Sequence, residues 1–140
     1  MKTQLFTFLI KSTFFFFRFL PRSGVLILGC ILGFLLRSIG FKKKRVIMNL
    51  NIVYGSKEQW PEKILTNIYR HFGLLLAELL KHPSIAKDKY REITSFEGEN
   101  YLDEALKKNQ GVIMVSGHTG NWEYNMAALA ERGYTVNVVV

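Results

Sequence analysis

The first 45 residues contain no aspartate and no glutamate. The same stretch carries nine cations, Lys2, Lys11, Arg18, Arg22, Arg37, Lys42, Lys43, Lys44 and Arg45, among the most apolar sequence in the chain. The whole chain has 19 Lys and Arg, 11 Asp and Glu and a net charge of +8, so the basic excess belongs to this segment alone. That distribution argues against nucleic acid as a partner, because a nucleic-acid binder spreads its cations over a polar folded face. Cations beside greasy segments fit anionic lipid headgroups instead. Cysteine is nearly absent too. The single Cys30 excludes an internal disulfide and mildly favours a reducing compartment. There is no HExxH and no paired CxxC, and His71, His82 and His118 lack ligand spacing, so no metal and no cofactor is expected. A G-x-S-x-G nucleophile elbow is also missing, and Ser116, the nearest serine to the one histidine in a glycine-rich turn, lacks that frame.

Long uninterrupted apolar runs are lacking as well. Residues 5–10, 14–20 and 25–36 are apolar but broken by Lys11, Arg18, Pro21 and Arg22. The longest uncharged piece, residues 23–36, makes a helix of roughly 21 Å at ~1.5 Å per residue. A hydrocarbon core of ~30 Å asks for about 20 apolar residues. A single span would need Arg22 or Arg37 to snorkel. A monotopic or hairpin arrangement with both ends on the cytoplasmic face accounts better for cations on both sides. A signal-peptide or lipoprotein reading of Ile27-Leu28-Gly29-Cys30 fails because more apolar sequence follows, so Cys30 packs as a small hydrophobe. The Phe14 to Phe17 run serves equally as a lipid anchor or as an apolar helix face.

Beyond Arg45 the composition becomes that of a soluble domain. VIMNLNIVY reads as an amphipathic helix broken by Gly55-Ser56. Ile64, Ile68, Phe72, Leu75, Leu76 and Leu79 mark a second helix, with Pro61 in its first turn and Pro83 stopping it near Lys81-His82. Glu78, set among leucines, needs a partner if buried and is otherwise an exposed helix carboxylate. Residues 91–97 read as a strand closed by Gly98, and residues 99–108 as a helix with Tyr101, Leu102, Ala105 and Leu106 inward. Residues 112–115 are an apolar run of the kind found in buried parallel strands. Residues 121–132 form a helix on Trp122, Met126 and Leu129, stopped by Gly133, and residues 135–140 read as another strand. Strand, helix and strand make a right-handed crossover, and an α/β parallel-rich sheet is the expected fold.

In that fold the stretch VSGHTGNWEY places His118 just beyond a strand's carboxyl end, where open sheets bind ligands. Gly117 and Gly120 allow a sharp turn and close approach of another molecule, and Asn121 or Thr119 can cap the helix. Glu123 then stands in the first turn, where the helix dipole favours a carboxylate. If Glu123 accepts a hydrogen bond from one ring nitrogen of His118, the other nitrogen can take a proton from a hydroxyl. The nucleophile would be the acceptor substrate, so no serine or cysteine of the protein is needed.

At these residues the chain resembles the lysophospholipid and lipid A biosynthesis acyltransferases, most closely the late acyltransferases of lipid A that add lauroyl and myristoyl chains. The lipid A branch favours H-x-G-N-W-E, and here His118-Thr119-Gly120-Asn121-Trp122-Glu123 follows it, with glutamate where the wider glycerolipid enzymes carry aspartate. Arg45-Val46-Ile47-Met48-Asn49-Leu50, Ile68-Tyr69-Arg70-His71-Phe72-Gly73 and Phe96-Glu97-Gly98 extend the likeness upstream. The resemblance implies a glycerol-3-phosphate-acyltransferase-like sheet flanked by helices, His118 as general base, and Glu123 orienting it. Gly120, Asn121 and Trp122 are candidates for substrate contact. It also implies an acyl carrier protein or coenzyme A thioester as donor and a hydroxyl of an acylated disaccharide lipid as acceptor. The setting implied is the cytoplasmic face of a bacterial inner membrane.

The expected organisation is a membrane-associated segment, residues 1–45, followed by the first part of an acyltransferase domain, residues 46–140. The chain reads as an amino-terminal fragment, because the arginine-bearing block of such enzymes would lie beyond Val140. A membrane-associated hydrolase and a non-catalytic membrane-anchored scaffold are the alternative functions.

Overall fold

The computed structural model describes residues 2–85, 89–117 and 119–138. Two compact units divide the chain, Met1–Ser84 and Ile85–Val140.

The first unit is built from four helices, α1 (Lys2–Phe19), α2 (Arg22–Ser38), α3 (Lys43–Tyr54) and α4 (Ile64–Lys81), with short 3₁₀ turns at Lys57–Gln59 and His82–Ser84. Pro21 separates α1 from α2 and serves as the residue before the first turn of α2, where its fixed φ and missing N–H are tolerated. Gly40 ends α2 at φ 68°: its N–H donates to Arg37 O (3.0 Å), and that of Phe41 to Leu36 O (2.9 Å), a Schellman closure. Gly55, at φ 79°, ends α3.

Helices α2 and α4 form the central pair. Their buried positions are Val25, Gly29 and Gly33 on one side and Tyr69, Gly73 and Ala77 on the other, each set spaced by four residues. The closest approach in α4 runs along Tyr69, Gly73 and Ala77 and not along its large exposed residues. Phe72 is 37% and Leu79 45% exposed, whereas Tyr69 is 3% and Ala77 1% exposed. Glycine explains this line of approach. A Cβ on Gly33 would lie 2.5 Å from Tyr69 O and 2.9 Å from Arg70 Cα, and one on Gly29 would lie 2.8 Å from Leu74 Cα. The backbones touch directly, as in small-residue helix crossings.

The carboxyl end of α4 also ties down the α1–α2 corner. Lys81 Nζ donates to Phe17 O (3.0 Å), Arg18 O (2.8 Å) and Leu20 O (3.0 Å), so all three ammonium protons cap carbonyls at the end of α1. Glu78, half-buried, has Arg22 as its ion-pair partner at 3.6 Å. Tyr69 Oη donates to Phe41 O at 2.7 Å and fixes the turn after α2. Phe17, Val25 and Ala77 form the core of this unit, with Leu20, Leu28 and Leu80 around them.

The second unit contains α5 (Tyr90–Ile93), α6 (Glu99–Leu106) and α7 (Trp122–Glu131). Here the expected fold class is overturned, because among the described residues there is no strand and no sheet. Residues 91–93 continue α5, and residues 112–115 and 135–138 carry no regular secondary structure. Ile113 is 94% and Val115 91% exposed, the opposite of a strand buried on both faces. Apolar composition states a preference for burial, but a strand exists only with a hydrogen-bonded neighbour, and none pairs with these runs. Tyr101, expected inward, is 73% exposed.

No single described helix is long and apolar enough to cross a membrane. Helices α2 and α3 together pass that test but are bent by 92°.

Gly33→Ala and Gly73→Ala should each destabilise the first unit by about 1–3 kcal/mol, because the added methyl meets backbone atoms that cannot rotate away. Alanine's better helix propensity offsets at most about 1 kcal/mol of this. Gly24→Ala, whose nearest atom is Leu20 Cδ2 at 3.5 Å, should be neutral or slightly stabilising. Thermal unfolding followed by helical circular dichroism separates the three, and equal stability of all would refute the close crossing.

Candidate active site

Helix α7 positions the acidic end of the motif. The chain enters it through Gly120 at φ 60°, a left-handed conformation that favours glycine. An added Cβ at Gly120 would meet nothing within 4 Å, so the backbone angle, and not close packing in the fold, calls for glycine there. Thr119 N–H donates to Gly117 O at 2.8 Å, a tight closure just before the helix. Asn121 stands at the N-cap with φ −103° and ψ 81°, but its side chain makes no capping hydrogen bond, contrary to one of the two expected caps. Glu123 lies in the first turn of α7 and is exposed. The helix dipole favours its charge there. Asn121 and Trp122 are half-buried and engaged with neighbours. His118 lies outside the described residues.

The body of α7 is held firmly. Tyr124, Ala128 and Leu129 are buried, and the Tyr124 ring meets that of Tyr90 edge-on, with centroids 5.7 Å apart at 88°. Tyr90 N–H donates to Glu131 Oε1 at 3.4 Å. Burial, followed by the Glu131 carboxylate, pushes the Tyr90 phenol above its ordinary pKa. Gly133, at φ 95°, ends the helix as expected: its N–H donates to Ala130 O (3.1 Å), and that of Tyr134 to Leu129 O (3.2 Å).

Around this end sits a cluster that sequence reasoning missed. The Arg132 guanidinium lies 4.4 Å from the Phe96 ring centroid and donates to Ala128 O (3.2 Å) and Thr94 O (3.4 Å). It also pairs with Glu99 at 3.5 Å. Tyr134 Oη donates to Asp103 Oδ1 at 2.6 Å and lies 3.3 Å from Glu99 Oε1. Arg132 and Tyr134 thereby join α6 to the carboxyl end of α7. The available signal was an arginine and a tyrosine flanking a helix-stopping glycine, with Glu99 and Asp103 four apart on one helix face.

The result is a pinned helix with an exposed entrance. Residues 111–117, Thr119 and Gly120 are all exposed. A reacting group carried there meets solvent and large substrates. The strand-end argument for the motif falls with the sheet, so the motif stands on its residues and on the helix start. Elsewhere, His71 is exposed and His82 caps α4 through its backbone N–H to Glu78 O. No group of three metal-ligating side chains occurs among the described residues.

Over residues 1–140 the sequence matches the family model of the bacterial lipid A biosynthesis acyltransferases. No curated protein and no solved structure matches it.

The Tyr134 phenol is pushed up to about 12, first by its hydrogen bond to Asp103. The folded protein thus holds the neutral form more strongly than an ordinary tyrosine at 10.0. Stability from this bond should be fully present below pH 10.0 and disappear as pH rises through about 12. The difference in alkaline tyrosinate absorbance between the protein and Tyr134→Phe checks this. Ionisation of Tyr134 at the ordinary value would show that the cluster does not hold in solution.

Proposed function

Because the chain belongs to the bacterial lipid A biosynthesis acyltransferases, we propose that it moves a fatty acyl chain from a thioester, on acyl carrier protein or coenzyme A, to a hydroxyl of a lipid A precursor. The observation that carries this reading is the family match over the whole chain with His118 and Glu123 in the family's H-x-x-x-x-E spacing. The exposure of the preceding loop and of Glu123 supports it, since both substrates are bulky.

In this mechanism Glu123 accepts a hydrogen bond from one ring nitrogen of His118 and fixes its tautomer. The other nitrogen removes the proton of the acceptor hydroxyl as its oxygen attacks the thioester carbonyl. The tetrahedral intermediate collapses with cleavage of the C–S bond, and the thiolate takes the proton back from the imidazolium. Gly120, Asn121 and Trp122 border the reacting groups and contact substrate. The acyl group passes to the acceptor oxygen, and the donor leaves as its free thiol.

The reaction takes place at the cytoplasmic face of the inner membrane, with the first unit as its anchor. Supporting this are the acid-free first 45 residues and the exposed apolar side chains of α1 and α2, among them Phe6 64%, Phe8 66%, Phe19 70%, Ile27 61% and Phe34 65% exposed. Soluble proteins rarely present so much contiguous apolar surface.

With the intact protein, thioester donor and acceptor lipid in detergent micelles, His118→Ala should lower turnover by ~10²–10⁴-fold. Near-normal turnover in that variant would sink the mechanism. Glu123→Gln should reduce turnover less and move the acidic limb of the pH–rate profile downwards, because the lost carboxylate no longer raises imidazole basicity. An unmoved limb would reject Glu123 as the partner of His118. Free fatty acid as the main product in the presence of acceptor would reassign the protein as a hydrolase.

A further inference from the structure

Two adjoining grooves line helix α3. One, of about 670 Å³, is bordered by Lys42, Lys43, Lys44 and Arg45. The other, of about 620 Å³, shares Lys43 and Ile47 with the first and adds Asn51, Ser56, Lys57 and Trp60. Lys42, Lys43, Lys44 and Arg45 are all exposed, and none forms an ion pair with a carboxylate among the described residues. Glu58, beside the lining residue Lys57, is held below the usual carboxylate range chiefly by the Ser56 hydroxyl, then by its own backbone N–H and, last, by Lys57. Trp60, half-buried, stands in the wall of the second groove and can report on its occupancy. Five cations and no carboxylate line the two grooves, which makes them complementary to oxygen-rich anions.

The rim around it is apolar. Ile39 is 74%, Met48 56%, Ile52 76% and Val53 72% exposed. A free anion or a nucleic acid gains nothing from such a rim, but an amphiphile places its phosphate among the cations and its chains along the rim. The 92° bend between α2 and α3 suits the same occupant, because α3 can lie in the headgroup layer while α2 turns away from that plane.

We propose that the groove around α3 binds the phosphate headgroup of anionic phospholipid in the bilayer, with Lys42, Lys43, Lys44, Arg45 and Lys57 as its cations and Trp60 in its wall. This rests on the membrane setting proposed above but not on the chemistry of His118. α3 would thus be an electrostatic foot that selects anionic membrane.

The test is flotation of the protein with vesicles of phosphatidylcholine, with and without phosphatidylglycerol. Emission of Trp60 is read in a Trp122→Phe background. Partition should favour the anionic vesicles, weaken in high salt, and be accompanied by a change in Trp60 emission. Replacing Lys43, Lys44 and Arg45 together by glutamine should weaken partition on the order of a hundredfold, at roughly fivefold per charge near an anionic surface. The charge-conserving set Lys43→Arg, Lys44→Arg and Arg45→Lys should retain it, which excludes misfolding as the cause. Equal partition into neutral vesicles, or full retention by the glutamine variant, would overturn the proposal. So would an equal Trp60 response to inorganic phosphate alone, or a response to acidic carrier protein but not to vesicles. Acyl transfer in micelles should persist in the glutamine variant. Its loss there, with partition intact, would overturn the assignment of these cations to the headgroup.

Discussion

Helices α2 and α4 approach until backbone meets backbone at Gly29, Gly33 and Gly73, and much of the first unit follows from that contact. A seam built on glycine buries little side chain, so the large apolar residues of both helices have no interior to fill. Only Phe17, Val25 and Ala77 reach its central cluster. The remaining phenylalanines and isoleucines of α1 and α2 are left outside. In water this would be a poor arrangement, since burial of apolar surface is the main source of stability. Against lipid it is consistent, because close packing of small residues, and not removal of surface from water, then holds helices together. The glycine crossing and the exposed phenylalanines are two sides of one constraint.

Polar ties complete what the seam leaves open. The Lys81 ammonium donates to three carbonyls where α1 ends and the helical hydrogen-bond ladder runs out. Arg22 answers Glu78 nearby. The second unit uses a different device, an aromatic pair at Tyr90 and Tyr124 and a guanidinium laid over Phe96. Its rigid parts are the body and carboxyl end of α7, and the motif's loop and first turn are left open to incoming groups.

Much of this was legible in the sequence because local rules govern it. Pro83 ended α4 at Lys81, Gly133 ended α7, and Gly55 ended α3, each through backbone restrictions that act within a few residues. The need of Glu78 for a partner was likewise readable from its apolar neighbours. The misses were non-local. Residues 112–115 have the composition of a buried strand, but composition cannot supply the ladder, and no strand forms among the described residues. The spacing of Ile64 to Leu79 marked α4 as a helix but not its seam, because periodicity records hydrophobicity and not closeness of approach. The small residues of α4 pack there only because Gly29 and Gly33 face them. Arg132 and Tyr134 escaped notice because their partners lie 31 to 38 positions away.

Acyl transfer to a lipid hydroxyl poses a particular difficulty for a general base. The acceptor is held in a bilayer, and water, present at far higher concentration, competes for the same activated acyl group. Electrostatic capture of a membrane addresses the encounter, since each cation near an anionic surface adds about 1 kcal/mol of attraction without contributing to the chemistry. On the function proposed above, nine cations without an acid in the first 45 residues would act as a concentration device. On the same proposal, the packed body of α7 and the exposed residues before it would address the second half, because an acceptor oxygen displaces water only where the groups that receive it are already positioned. Loss of the cations and loss of the base should thus differ in kind: the first lowers the encounter with lipid in a bilayer, the second the chemical step in any medium. A protein needing both has reason to keep its charge and its chemistry on separate parts of the chain.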